Sequence, residues 1–347
     1  MISDAQKKWL NEFFDKCESK IYRIMDDVKK DYPMFINASQ NKYYENEPYP
    51  YNWTSGFWGG IMWLLYNSTG KDKYLHRAVQ CSQRYSDAMG STAGFRCLDN
   101  HDLGFVFGLT NIPHYKLLHD SEARIRALHA AAMLAGRFNP NGDYIVAWST
   151  NAAMGEDTRG FAIIDCLLNL PLLYWASEET KDPRYASIAK RHAYMAEKEF
   201  FKPDGSVYHI VDFDCETGKV KGYPQGQGYS SGSSWSRGQS WAVYGFLMSY
   251  IHTGDVKFLR ASERVADYVI KNFGDRKLAP VDYMQPDSPK KYDASASAIT
   301  ACGMIGLAKR CGNENAEKYL NFAVKLLEGL YDDCDFGDKN QALVQTI

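Results

Sequence analysis

The chain has 347 residues, 45% hydrophobic and 24% charged, and its 40 basic side chains against 42 acidic ones leave a net charge of −2. This composition suits a folded protein with a large core and excludes a disordered chain. The lack of a basic stripe excludes nucleic acid as a partner, and no apolar run reaches the roughly 18 residues of a membrane span. The opening MISDAQKKWLNEFFDKCESK shows no hydrophobic stretch ahead of a small-residue cleavage site, so the expected location is cytoplasmic. The eight cysteines are scattered, without a C-x-x-C pair, and read as reduced thiols rather than zinc ligands.

Residues 4–30 form a charged amphipathic helix with no apolar helix before it. From Trp53 a small and aromatic opening leads into an apolar run, then a Gly/Lys/Asp turn, then a charged helix ending near Met89. The same order returns from Leu103, Arg159, Arg237 and Ser295, so that apolar helices begin near 56, 104, 160, 238 and 296, with a period of about sixty residues. Five apolar and six amphipathic helices follow from this reading. Apolar helices belong inside and amphipathic ones outside, which predicts an all-α fold: a double-layered toroid of the (α/α)6 type, one domain over residues 1–347. Residues 202–236, with SVYHIVDF and KVKG around a CETG turn, interrupt the pattern as a β-hairpin insertion at the rim. After Tyr331 only DDCDFGDKNQALVQTI remains, so a sixth inner helix is expected to be missing.

Repeated inner-outer order makes the inner helices parallel, so their N-terminal ends gather at one mouth. Asp165 lies in GFAIIDCLLNLPLLYW, placed by periodicity inside the third inner helix, where desolvation raises a carboxyl pKa as a general acid requires. The alternative is a structural pair with Arg159 or another buried cation. Asp102, after His101 and just before the second inner helix, reads either as an N-cap or as a held, ionised carboxylate. Trp53 and Phe57 open the first inner helix and Arg237 and Trp241 the fourth, while Trp148, His209 and Gln227 lie in the segments leading to the third and fourth. Aromatic faces, an arginine, amides and paired carboxylates at one mouth compose a carbohydrate site. No H-E-x-x-H, G-x-S-x-G or phosphate-loop pattern occurs, so neither metal nor cofactor is expected.

The strings NHDLGF around Asp102, IIDCLLNLPLL around Asp165 and QGYSSGSSWSRGQSWAVYG around Arg237 resemble the unsaturated glucuronyl hydrolases, glycoside hydrolase family 88, over nearly the whole chain. The resemblance implies an (α/α)6 barrel. It also implies as substrate a small oligosaccharide bearing a 4,5-unsaturated uronic acid at its non-reducing end, as lyases leave on chondroitin, hyaluronan or heparin fragments. By position Asp165 corresponds to the general acid/base and Asp102 to the second essential carboxylate. Trp53, Phe57, His101, Trp148, His209, Gln227, Arg237 and Trp241 correspond to the sugar pocket. The implied chemistry is hydration of a vinyl ether: a proton to C4, water to C5, then collapse of the hemiketal.

The sequence departs from the family pattern at Ser231 and Gly232, where relatives carry acidic residues, and in the segment after NQALVQTI, which in the family completes the barrel. The competing readings are an unsaturated rhamnogalacturonyl hydrolase acting on pectin fragments, a barrel epimerase using histidines, and a glycan-binding barrel without activity.

Overall fold

The computed structural model describes residues 3–28, 52–91, 98–148, 157–288 and 291–333, with positions 32, 36–37, 42–43 and 94 between them. The expected layers are present. The inner helices are α2 (Thr54–Thr69), α4 (Leu109–Leu118), α6 (Leu170–Thr180), α8 (Ser236–Thr253) and α10 (Ala294–Ala308). The outer ones are α1 (Asp4–Val28), α3 (Asp72–Gly90), α5 (Ser121–Gly136), α7 (Pro183–Glu199), α9 (Val256–Phe273) and α11 (Asn313–Asp333). The tail where the sixth inner helix is expected to be missing lies outside the described residues.

The sequence repeat has a local cause at each inner-to-outer corner. Helices α2, α4, α6 and α8 end on a left-handed residue, Gly70, His119, Lys181 and Gly254, whose amide closes the last turn at Gly70, His119 and Gly254. The next residue is the N-cap of the outer helix. Asp120, Asp182 and Asp255 accept from the amides of Ala123, Arg184 and Lys257, so a two-residue corner reverses the chain in three of these corners by the same bonds. Close approach of the inner layer relies on small residues: a Cβ on Gly56 would lie 2.0 Å from the Phe105 carbonyl oxygen, and one on Gly104 would lie 2.4 Å from the Asn169 Cα.

Two inner helices do not begin as α-helix. A π turn, Gly104–Gly108, precedes α4, and a 3₁₀ turn, Ile164–Leu168, precedes α6. The stretch read as the start of the third inner helix is instead strand β5 (Phe161–Ile163), antiparallel to β6 (Ile210–Phe213), which pairs with β7 (Val220–Gly222). A strand wins over the helical pattern here because the hairpin insertion offers Phe161, Ala162 and Ile163 both ladder partners and burial. Two further two-residue pairs, β1 (Ile36–Asn37) with β2 (Lys42–Tyr43) and β3 (Phe138–Asn139) with β4 (Tyr144–Ile145), complete the strands among the described residues. No helix among the described residues is long and apolar enough to cross a membrane.

Candidate active site

The strand ladder brings residues distant in sequence to one mouth of the ring. Ile163 faces Ile210, and the ladder continues one step as the Ile164 amide donates to the His209 carbonyl at 3.1 Å. Asp165 and His209 therefore come together, with Nε2 of His209 3.9 Å from Oδ1 of Asp165. On the other edge the Ala147 amide donates to the Phe161 carbonyl and the His101 amide to the Ala147 carbonyl, while Asn100 bridges Trp148. This places His101 and Asp102 beside the same strand. Asp165 thus stands in a short 3₁₀ turn at the end of a strand, not within the α-helix that periodicity suggested.

Both carboxylates are sparsely exposed, 15% for Asp102 and 17% for Asp165. Burial pushes Asp165 up to about 8, and the negative charge of Asp102 adds to the rise, while Arg237 opposes it. Burial likewise raises Asp102 to about 7, with Arg137 pulling the other way. Oδ1 of Asp165 is buried without a hydrogen-bond partner, as are the Trp241 indole nitrogen and Nδ1 of His101. The pairing of Asp165 with Arg159 fails, because Arg159 turns to Asp157, bonding it through Nε and Nη2 at 2.8 and 2.7 Å. Asp102 stands at the N-terminal boundary of the second inner helix, its carbonyl accepting from the Val106 amide at 3.2 Å, and its carboxylate lies 3.5 Å from His101 Nε2.

The histidines stay neutral. Burial holds His101 and His209 down at about 3, with Arg137 and Arg237 respectively adding to the effect. Nδ1 of His209 accepts from the Gln227 amide at 2.9 Å, so its proton sits on Nε2, facing Asp165. Gln227 meets His209 through its backbone amide, and its side chain is exposed at the rim.

Arg237 projects from the first turn of α8. Its Nε and Nη2 donate to the same oxygen of buried Asp293 at 2.9 and 2.6 Å, and the other Asp293 oxygen caps α10 through the Ala296 amide. Trp53, Phe57, Phe105 and Trp241 form a continuous aromatic wall, with ring centroids 5.1 to 5.7 Å apart for the pairs Trp53–Phe57, Trp53–Phe105, Phe57–Phe105 and Phe105–Trp241. Trp53, Phe57, Trp241 and Arg237 line a cavity of about 420 Å³, and Phe57 and Trp241 also border a lumen cavity of about 450 Å³. Trp148 stands apart from this wall, packing on Phe161 and lining another cavity of about 730 Å³ with Arg137 and Leu103.

Residue types alone did not single out Asn169, Asp293 or Arg137. Asn169 is fully buried; its Oδ1 accepts from the Phe105 amide at 2.7 Å and its Nδ2 approaches the Asp165 carbonyl at 3.4 Å, tying the two irregular turns together. An asparagine within LLNLPLL and an aspartate ahead of ASASAIT were the available signals.

The fold and this mouth define a glycoside hydrolase of the α/α-barrel class. The model of Glycosyl Hydrolase Family 88 matches residues 24–346, and the chain belongs to that family. The unsaturated glucuronyl hydrolase of Bacillus sp. (strain GL1) is 36% identical over 284 residues, 82% of this chain and 74% of that one. The unsaturated chondroitin disaccharide hydrolase of Streptococcus pneumoniae is 34% identical over 316 residues, 90% of this chain and 77% of that one. A crystal structure of unsaturated glucuronyl hydrolase from Bacillus sp. GL1, described as responsible for the degradation of glycosaminoglycan, aligns with a TM-score of 0.87 at 32% identity, covering 93% of this chain and 85% of that one.

Proposed function

We propose that this protein is an unsaturated glucuronyl hydrolase, removing the 4,5-unsaturated uronic acid from the non-reducing end of small lyase-generated glycosaminoglycan oligosaccharides. The observation that carries the reading is a carboxyl group, Asp165, kept protonated near neutral pH beside a second carboxylate, at a mouth walled by tryptophans. Asp165 as an acid delivers its proton to C4 of the enol ether. The cation left at C5 is stabilised by the negative charge of Asp102, and the Asp165 carboxylate then takes a proton from the water that adds at C5. Asp165 thus ends protonated as it began, the C5 hemiketal opens to a ketone with the ring oxygen left as a hydroxyl on C1, and collapse of that C1 hemiacetal to an aldehyde breaks the C1–O bond and releases the aglycone as an alcohol. No attack at C1 is involved, so the spacing rule for retaining and inverting carboxylates does not govern this site.

Arg237, held by Asp293, supplies a fixed positive charge for the uronate, and the Trp53, Phe57 and Trp241 faces supply stacking for the sugar rings. His101 and neutral His209 provide hydrogen bonds without competing as acids. The free thiols of Cys17, Cys81, Cys166, Cys215, Cys302 and Cys311 support a reducing, cytoplasmic setting.

The test follows the ultraviolet absorbance of the C4=C5 double bond with lyase-derived chondroitin, heparin and pectin disaccharides, using Asp165→Asn as control. Absorbance lost with the wild-type chain alone, on a glycosaminoglycan disaccharide, is expected. Loss confined to pectin disaccharides would move the assignment to the rhamnogalacturonyl class, and undiminished turnover by Asp165→Asn would remove Asp165 from its role.

A further inference from the structure

The rim loop 226–235 is the later part of the 223–235 connection from β7 to α8 and touches the site at both ends. At one end the Gln227 amide sets the His209 ring; at the other lie Trp235, packed edge-on against His209 at 4.5 Å, and then Arg237. Between them the sequence GYSSGSS offers little side-chain mass to pack, and Gly228 and Gly232 have positive φ values of 116° and 70°. A Gly/Ser segment of this kind has much conformational freedom to lose, so its order needs a specific cause.

Two charged residues outside the loop supply it. Lys202, 8% exposed, donates through Nζ to the Gly232 and Ser233 carbonyls at 2.8 and 2.7 Å. Asp282, fully buried, accepts through Oδ2 from the Tyr229 amide at 3.0 Å and the Ser233 hydroxyl at 2.6 Å, and through Oδ1 from the Ser234 and Met284 amides at 3.0 and 2.8 Å. A Cβ on Gly228 would lie 2.7 Å from Asp282 Oδ2, so the loop wraps the carboxylate closely. Lys202 is fixed in turn: its amide donates to the Ser206 carbonyl, and its own carbonyl accepts from Arg264 Nη2 at 3.0 Å. An ammonium bonded to carbonyls and a carboxylate bonded to amides are the two complementary ways of solvating a bare backbone, and charge-assisted bonds are the stronger kind.

We propose that Lys202 and Asp282 are positioning residues, a clasp that holds the rim loop in its substrate-ready shape and thereby sets His209, Trp235 and Arg237 around the sugar. Neither touches the reacting atoms. The clasp acts by removing the ordering cost that substrate would otherwise meet, so its loss falls on binding. This rests on the proposed hydrolase activity for its kinetic arm only.

The experiment pairs hydrogen exchange on the full chain with steady-state kinetics for Lys202→Met. Amides in 226–235 are expected to exchange at least about tenfold faster, with the helices unchanged, and KM for the disaccharide to rise about tenfold while kcat stays within about twofold. Lys202→Arg, which keeps the charge, is expected to restore most of both. Unchanged exchange in folded Lys202→Met overturns the clasp, and so does a loosened loop with unchanged KM. If the wild-type chain turns over no unsaturated disaccharide, the hydrolase reading fails, and the exchange arm still decides whether the clasp orders the loop. If Lys202→Met does not fold, Ser233→Ala, which deletes the 2.6 Å bond to Asp282, is expected to loosen the same amides by about threefold, and no change there overturns the proposal.

Discussion

Among the described residues, two clusters combine histidine with aspartate, and they differ in one respect. Between α3, α4 and α5, the Ser82 hydroxyl lies 2.9 Å from His114 Nδ1, and His114 Nε2 lies 3.9 Å from Asp120, which also caps α5. At the mouth, His101, Asp102, Asp165 and His209 gather with buried polar atoms left unbonded: His101 Nδ1, Asp165 Oδ1 and the Trp241 indole nitrogen. The first set looks like a nucleophilic triad by residue type, yet its serine is fully buried. The second leaves hydrogen-bonding capacity unspent beside a sugar-sized cavity. An unsatisfied buried polar group costs about 1–3 kcal/mol, a cost a protein keeps where a ligand completes the bonds. Buried unbonded atoms also occur away from the mouth, at the Trp58 and Trp175 indoles for example, so what sets the mouth apart is that its unbonded atoms gather around two carboxylates.

The largest effect expected from breaking this contrast is at the carboxylates. Asp165→Asn and Asp102→Asn should each lower kcat by about 10²–10⁴, the range for loss of a positioned acid or base. Both folded carboxyls titrate above their ordinary values, so any stability they confer is fullest at low pH and is lost as pH rises, for Asp165 through about 8 and for Asp102 through about 7. Asp165→Asn should therefore raise Tm over wild type at pH 8 while removing turnover, measured by thermal denaturation and the ultraviolet assay. A fall in both would mean that Asp165 is held for structure.

Next in size is the pH dependence. Turnover with Asp165 protonated and Asp102 ionised requires a profile that falls above about 8 and below about 7, a narrow maximum whose two limbs belong to the pair as a whole. Asp293→Ala comes after it. Freed of the bonds to Nε and Nη2, Arg237 should lose its aim, lowering kcat/KM by about tenfold or more, since hydrogen bonds to charged groups contribute about 1.5–3 kcal/mol. The same change removes the α10 cap, at about 1 kcal/mol of stability.

The ring was legible because its cause is periodic. Apolar inner helices, charged outer ones and corner aspartates recur in register, and four of the five expected inner starts fall within two residues of the observed ones, at 54, 104, 236 and 294. The fifth was misread: β5 occupies the start of the third repeat, because its partner strand lies fifty residues away in the insertion and leaves no local mark. The site divides the same way. Asp165 and Asp102 stood out as charges against apolar runs. The Arg237–Asp293 pair, the Asn169 tie and the backbone route from Gln227 to His209 join residues whose neighbourhood exists only once the chain has folded.

The smallest expected effect sharpens the comparison from its other side. Ser82→Ala deletes the hydroxyl that His114 Nδ1 meets at 2.9 Å, in a place where burial already holds that histidine below its ordinary pKa. Were the trio reactive, the change would abolish an activity. As a satisfied structural set it should leave disaccharide turnover within about twofold and lower stability by about 1 kcal/mol, the usual net value of one buried hydrogen bond, because the ring of His114 still packs on Trp63 at 5.4 Å. Turnover and thermal denaturation of this single variant, set beside Asp165→Asn, would then show opposite responses: stability lost and activity kept in one cluster, activity lost and stability gained in the other.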